Sequence, residues 1–245
     1  MEKSSVYVIS DIHGMFDLMQ EALAHWEKET MQLVFIGDLN DRGSKSKDCL
    51  YYAMKLVKEH EAIYLRGNHE EMFLRFLEDP ERNKDIYLCN GGLETLESFF
   101  FKGVLDEYSV TEIVMMLRSQ HKELMSFLKF LPTFYEWEQY VFVHAGVDLT
   151  KSDWRKSSQQ DFVWIRNPFH QGKNETGKVI VFGHTVTPYL HRDGKTTDLW
   201  ISDNKIGIDG AGVYGGVVHG VLFGKLGIEE DYIFPNKTGA WRPKY

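Results

Sequence analysis

Val6-Tyr7-Val8-Ile9-Ser10-Asp11-Ile12-His13-Gly14, followed by Leu33-Val34-Phe35-Ile36-Gly37-Asp38-Leu39-Asn40-Asp41-Arg42-Gly43, decides how the chain is read. In each stretch a short apolar run, suited to a buried strand, ends in a polar, glycine-bearing corner. Ala62-Ile63-Tyr64-Leu65 before Arg66-Gly67-Asn68-His69-Glu70 repeats the pattern. Between these runs, Met15, Leu18, Met19 and Ala22, then Leu50, Met54 and Val57, recur at spacings of three and four. That spacing predicts amphipathic helices over 15–26 and 47–60. The alternation predicts βαβ units, hence an α/β fold with a largely parallel sheet. In such sheets chemistry gathers beyond the carboxyl ends of the strands, and here those ends carry Asp, His, Asn and Gly.

Further along, residues 93–131 turn helical, with Leu93, Leu96 and Phe99 and then Ile113, Met116 and Leu117 in phase, which predicts a cap-like helical insertion. Strand patterns return after Pro132, at 140–143, 178–182, 205–208 and 216–223. The polar segment 150–177 reads as an irregular surface excursion. No repeat or linker divides the chain, so residues 1–245 are expected to form one domain. Phe99-Phe100-Phe101 and Phe134–Trp137 read as core or hairpin packing. Gly210–Gly215 spells GxGxxG but leads into a strand, so it lacks the helix N-terminus that a dinucleotide needs. His219, inside that strand, reads as a sheet histidine without a matching partner.

Composition limits the function. With 36 acidic against 28 basic residues and a formal charge of −8, the chain has the wrong sign for gripping a nucleic-acid polymer. Any bound phosphate must meet a local cationic pocket. Two cysteines, Cys49 and Cys89, cannot build a disulfide framework and are expected to be reduced and buried. The first residues lack a signal-peptide core and no run of 18 apolar residues occurs, so a cytoplasmic protein without a membrane partner is expected. The Asn174 and Asn236 sequons are then chance matches.

Five polar motifs carry the chemistry: Ser10–Gly14, Gly37–Gly43, Arg66–Glu70, His144-Ala145-Gly146 and Gly183-His184-Thr185. Each follows an apolar run. Taken alone, Asp-x-His is a common loop or capping pair, a single His144 or His184 is an ordinary core histidine, and Asp-Arg-Gly is an ordinary turn. Together they place carboxylates and imidazoles repeatedly where desolvation costs several kcal/mol unless they are paired or bind metal. Oxygen and imidazole donors without thiolate favour Mn²⁺, Fe²⁺, Co²⁺ or Zn²⁺. Six such groups exceed one tetrahedral ion and suit two ions sharing a carboxylate. Such a pair lowers the pKa of a bridging water, holds a phosphoryl oxygen and serves in-line hydrolysis of a phosphate ester.

SDIHG, GDLNDRG, GNHE, HAG and GHT, in this order over residues 10–185, resemble the signatures of the phosphoprotein phosphatase branch of the metallophosphoesterase superfamily. Gly207–Gly216 is similar to the late glycine-rich stretch of its bacterial and phage members. Ser10 departs from the first motif's glycine at a position that is not a ligand. The resemblance implies a four-layer sandwich of two mixed β-sheets flanked by helices, with 93–131 beside the site. It further implies that Asp11, His13 and Asp38 hold one metal, and that Asp38 bridges to a second held by Asn68, His144 and His184. His69 would be the general acid, oriented by Asp41; an alkoxide leaves poorly unless protonated. Arg42, Arg66 and Arg166 would clamp the phosphoryl oxygens, a task suited to a guanidinium fork. Asn90-Gly91-Gly92 resembles a substrate-side loop but reads equally as a plain turn.

The expected activity is a phosphatase dependent on two divalent ions, Mn²⁺ first, acting on phosphoserine or phosphothreonine in proteins or on small phosphate monoesters. A symmetrical bis(5'-nucleosyl)-tetraphosphatase is the alternative on the same core. An inactive phosphate-binding scaffold is the alternative of another class, and the intact ligand set argues against it.

Overall fold

Period-two alternation along the strands sorts the side chains into three cores. The computed structural model describes residues 3–237; residues 1–2, where the leader reading began, and residues 238–245 of the 1–245 span lie outside them. The first half runs β1 (Ser5–Ile9), α1 (Phe16–Leu23), β2 (Met31–Phe35), α2 (Ser46–His60), β3 (Ile63–Tyr64), α3 (Asn68–Glu78) and α4 (Pro80–Tyr87). A π-helical turn (Leu88–Gly92) leads into α5 (Leu93–Phe99), α6 (Val104–Glu107), α7 (Val110–Gln120) and α8 (Lys122–Lys129). The second half runs β4 (Phe134–Trp137), β5 (Tyr140–Val143), a 3-10 turn (Trp154–Lys156), α9 (Gln159–Trp164), α10 (Asn167–Gln171), β6 (Val179–Phe182) and α11 (Thr187–Leu190). It closes with β7 (Trp200–Ser202), β8 (Lys205–Gly207), a 3-10 turn (Gly212–Tyr214), β9 (Val217–Gly224) and β10 (Gly227–Pro235).

The strands form two mixed five-stranded sheets, ordered β10-β9-β1-β2-β3 and β4-β5-β6-β8-β7. In the first, β1, β2 and β3 are parallel and β9 and β10 return antiparallel. In the second, β5, β6 and β8 are parallel, with β4 and β7 antiparallel at the edges. The single largely parallel sheet read from the alternation is therefore two sheets, each containing three parallel strands, on one side of the first sheet and at the centre of the second. The two mixed sheets implied by the family resemblance are present.

Val6, Val8, Val34, Ile36, Phe142, Val181, Val221 and Phe223 fill the space between the sheets. Their neighbours Tyr7, Ile9, Leu33 and Phe35 face the helices of the first half. Val141, Val143, Ile180 and Phe182 face α9, α10 and the 3-10 turn at Trp154. A period of two thus gives each central strand one residue set for the sandwich interior and another for a helical layer.

The stretch 93–131 is helical as read, and its Leu96, Phe99, Ile113, Leu117, Leu124 and Leu128 join the core packed on the first sheet. Residues 150–177 are not merely an irregular excursion. Trp154, Phe162, Val163 and Phe169 are buried against the outer face of the second sheet, which would otherwise stay wet. Cys49 is buried as expected, whereas Cys89 is exposed. It lies two residues beyond buried Tyr87, roughly on the opposite side of the helix. His219 sits in β9 but does have partners: Nδ1 lies 2.8 Å from Asp231 Oδ1 and Nε2 2.7 Å from the Thr197 carbonyl. β9 follows the GxGxxG stretch directly, as the strand reading required. Among the described residues no helix is long and apolar enough to cross a membrane.

Phe142 lies between the sheets, its ring centroid 5.6 Å from that of Phe223 and 6.0 Å from that of Tyr140. Phe142→Ala is expected to cost about 3–5 kcal/mol of unfolding free energy in a urea titration. A loss below about 1 kcal/mol would contradict its place at the centre of the sandwich.

Candidate metal centre

The six parallel strands, β1, β2, β3, β5, β6 and β8, end at one place. Asp11 and His13 follow β1, Asp38, Asp41 and Arg42 follow β2, and Asn68 and His69 follow β3 through a short corner. His144 follows β5, His184 follows β6, and Asp209 follows β8. Side chains from both sheets therefore meet beyond the carboxyl ends of the strands, in register with the sandwich interior. The turns that deliver them are tight. Six of the eleven non-glycine residues with positive φ among the described residues are Asp11, His13, Asp38, Asp41, Arg42 and His184. Left-handed backbone at residues with a Cβ costs roughly 1–3 kcal/mol each and persists only where the surroundings hold it.

Asp38 stands at the middle. Its Oδ2 lies 3.7 Å from His13 Nε2 and 3.8 Å from His69 Nε2, and its Oδ1 lies 3.4 Å from His144 Nε2. Two sets of ligand atoms fall within 4.8 Å of one another: His13, Asp38 and His69, and Asp38, His144 and His184. All five residues are buried, and Asp38 belongs to both sets. Asn68 adds its Oδ1, 2.9 Å from His144 Nε2. Asp11 lies against the backbone at His184, accepting the His184 N–H at 3.1 and 3.2 Å and the Ser10 hydroxyl. All six residues read from the sequence as ligands thus converge, and the structure adds His69 as a further imidazole at Asp38.

The hydrogen bonds behind these candidate ligands fix which atoms face inward. His13 Nδ1 is 2.9 Å from the Asn40 carbonyl and His144 Nδ1 is 2.7 Å from the Ile36 carbonyl. A carbonyl only accepts, so each Nδ1 carries a proton and each Nε2 presents its lone pair or a second proton to the cluster. Glu70 accepts the N–H groups of Gly67, Asp38 and Leu39 at 2.8–2.9 Å and the Tyr64 hydroxyl at 2.7 Å, which pins the corner carrying Asp38. Gly67 and Gly183 leave room for the carboxylates: a Cβ would lie 2.2 Å from Asp38 Oδ1 at Gly67 and 2.1 Å from Asp11 Oδ2 at Gly183.

The site's electrostatics match a cation. Burial pushes the Asp11 carboxyl up to about 6. Burial pulls the His144 ring down, but Asp38 and then Asp11 outweigh it and lift its pKa to about 9. Burial also opposes charge on Asp38, yet His144, His69 and His13 together hold it well below the usual carboxylate range. His184 is lowered by burial and by His144 and Arg166, and its Nε2 is buried without a hydrogen-bond partner. His144 Nε2 faces only the acceptors Asn68 Oδ1 and Asp38 Oδ1. An orphaned imidazole nitrogen and a nitrogen crowded by acceptor oxygens are the donor atoms a divalent ion would satisfy, so the residues fit two such ions about Asp38.

His69 is held differently. Its Nδ1 lies 2.7 Å from Asp41 Oδ2, while Asp41 Oδ1 accepts the hydroxyls of Thr95 at 2.6 Å and Tyr87 at 3.0 Å. Its Nε2 lies 2.8 Å from Arg42 Nη2, and Arg42 Nη1 contacts His13 Nε2. Arg42 and Arg166 share a small cleft of about 110 Å³ with His184, Asp209, Tyr189 and Tyr214. Arg166 donates to Thr185 Oγ1 at 2.8 Å. Arg66 is not brought to this cleft: its guanidinium bonds Glu71 at 3.2 Å and the Lys129 carbonyl at 2.7 Å. The carboxylate and the open carbonyls at the end of α8 draw it there. Asn90-Gly91-Gly92 belongs to the π-helical turn, and the Gly91 carbonyl accepts the Arg42 N–H at 3.0 Å, so it buttresses the Arg42 corner.

Asp209, Tyr214 and Glu70 were not assigned a role from the sequence. Asp209 could have been found, because it follows the 205–208 run just as Asp11 and Asp38 follow theirs. Its carboxyl is raised well above the ordinary range by burial and by Asp11. A separate hollow of about 760 Å³ is lined by the end of α2, β3 and α8 and shares none of these residues.

A family profile described as calcineurin-like phosphoesterase matches residues 4–215. Serine/threonine-protein phosphatase 1 of Salmonella typhimurium is 37% identical over 89 residues, covering 36% of this chain and 38% of that protein. An asymmetrical bis(5'-nucleosyl)-tetraphosphatase of Anoxybacillus flavithermus is 35% identical over 79 residues, covering 28% of this chain and 32% of that protein. The chain thus spans about a third of the length of these curated relatives. A crystal structure described provisionally as a diadenosine tetraphosphatase superposes with a TM-score of 0.68 at 17% identity, covering 97% of this chain and 96% of that one, a likeness of fold.

Glu70→Gln would turn an amide N–H toward one of the backbone donors that the carboxylate now satisfies. It is expected to cost about 2–3 kcal/mol in chemical denaturation, the scale of a buried, charge-assisted bond lost with an unpaired donor left behind. An unchanged midpoint would mean that Glu70 does not hold the Asp38 corner.

Proposed function

The chain belongs to the calcineurin-like phosphoesterase family, and we propose that it hydrolyses phosphate monoesters, with phosphoserine and phosphothreonine in proteins as substrates. The observation that carries the reading is Asp38, shared between two buried ligand sets of which one ends in the unpartnered His184 Nε2. Asp11, His13 and Asp38 would hold one divalent ion, and Asp38, Asn68, His144 and His184 the other, with Mn²⁺ as first choice. When bound, such a pair supplies Lewis acidity to a phosphoryl oxygen and an activated water at neutral pH. Because the ligands come from both sheets, the reading takes residues 1–245 as one working domain.

The chain's own residues divide the remaining work. His13, anchored on a backbone carbonyl, suits a neutral ligand. His69, anchored on the Asp41 carboxylate, suits a group that passes through its charged form, and Nε2 would give its proton to the departing oxygen. Tyr87 and Thr95 hold Asp41 so that the His69 ring keeps one orientation. Arg42 and Arg166 would clamp the phosphoryl oxygens across the cleft, the fork geometry orienting phosphorus toward the ions. Arg66 enters the clamp only if its guanidinium leaves Glu71.

A dinucleoside tetraphosphate is the competing substrate, since the Anoxybacillus relative is named for one; that relative's name specifies asymmetrical cleavage, whereas the alternative drawn from the sequence was symmetrical. A scaffold without turnover is disfavoured by the complete ligand set. Comparing kcat/KM on a phosphothreonine peptide with that on diadenosine tetraphosphate separates the two substrates. The peptide is expected to be the better by at least an order of magnitude, about 1.4 kcal/mol of transition-state free energy; the reverse ratio would move the protein to the second reading.

Chelation is expected to abolish hydrolysis of para-nitrophenyl phosphate and Mn²⁺ to restore it. Activity indifferent to chelator would exclude the metal-dependent mechanism. His69→Asn should lower kcat by about 10²–10⁴ for an alkyl phosphate, whose leaving group needs a proton, and far less for nitrophenyl phosphate. Equal losses on both would remove His69 from the acid role.

A further inference from the structure

Beside the catalytic corner, α3, the end of α7, α8 and the start of α9 border a cleft of about 310 Å³ lined by Arg66, Glu71, Arg75, Glu78, Arg118 and Lys129. We propose that this cleft recognises an anionic residue of the substrate about three positions from the phosphorylated one; the inference rests on the phosphoprotein reading above. Four cations face two carboxylates here, in a chain whose formal charge is −8. Glu71 is already divided between Arg66, at 3.2 Å, and Arg75, at 3.0 Å. Arg118 donates to the Leu77 carbonyl at 2.6 Å, and among the described residues neither Arg118 nor Lys129 is recorded in an ion pair. Arg66 Nε is buried without a hydrogen-bond partner. A local surplus of guanidinium and ammonium donors is the chemistry that meets a carboxylate or phosphate side group.

The placement suits a substrate that also reaches the metal centre. Gln159, at the first position of α9, lines the cleft and donates to Glu71 at 3.2 Å. Trp164, at the last position, packs edge-on to His184 with ring centroids 5.9 Å apart. Five helical steps separate the two, roughly 8 Å. On the other side Arg66 precedes the ligand Asn68 by two residues. An extended peptide advances about 3.3 Å per residue, so a side group three positions from the scissile phosphate falls about 10 Å away. The rise along α9 from Gln159 to Trp164 thus matches two to three extended residues between the cleft and the helix end packed on His184.

The test uses the full chain loaded with Mn²⁺ and phosphothreonine peptides that carry Glu or Gln three residues before or after the phosphothreonine. The wild type is expected to prefer a Glu peptide in kcat/KM on the order of fivefold at low ionic strength, the size of one or two partly exposed ion pairs, with the preference fading at high salt. Arg118→Gln with Lys129→Gln should remove the preference and leave para-nitrophenyl phosphate turnover unchanged. Because Arg118 also bonds a backbone carbonyl, Lys129→Glu at its exposed position is the second variant and should lower turnover of the Glu peptide alone. Peptides hydrolysed equally by the wild type, or a preference that survives in the double variant, would overturn the proposed site. If neither peptide is hydrolysed while nitrophenyl phosphate is, the phosphoprotein reading fails and the site falls with it.

Discussion

A single carboxylate, Asp38, faces imidazoles on both sides in a place closed to water, and the rest of the site is arranged around that arrangement. A buried anion is expensive unless cations or hydrogen-bond donors answer it. Here His13 and His69 approach one oxygen and His144 approaches the other, while the His69 N–H donates to Oδ1 at 3.0 Å. Glu70 holds the loop from beneath through three backbone donors. The supports come from three corners of the chain, after β1, β3 and β5, so the geometry at Asp38 depends on both sheets being closed.

The fold supplies that convergence through its parallel strands. Three from each sheet point the same way, and their outgoing corners bring Asp11, Asp38, His69, His144, His184 and Asp209 together. The backbone pays a conformational cost at these corners, with left-handed φ at six of the functional residues. Tight packing of the sandwich interior offsets it. The aromatic cluster of Tyr140, Phe142 and Phe223 is the part of that interior where rings from the two sheets meet.

Much of this could be read from residue order alone, because the candidate ligands sit at strand ends, where a buried polar group stands out against the apolar run before it. Asp11, His13, Asp38, Asn68, His144 and His184 were legible for that reason, and they do converge. Helices α3 and α4 were not, since the polar motif occupies the first turn of α3, and α4 is polar along most of its length with Tyr87 as its buried residue. The burial of Trp154, Phe162 and Phe169 was hidden by the polar residues around them. Arg66 could not be placed because a long side chain beside a metal corner has two competing partners. Glu71 and the carbonyls ending α8 come from sequence positions that reveal their proximity only after folding. Asp209 carried the same strand-end signal as the ligands but lay in a glycine-rich stretch read for its backbone.

The most direct measurement is anomalous diffraction from crystals of the full chain grown with Mn²⁺. Two peaks are expected, both within bonding distance of the Asp38 carboxylate, one of them also at the His184 imidazole nitrogen. A solitary peak, or no peak at that carboxylate, would contradict the account.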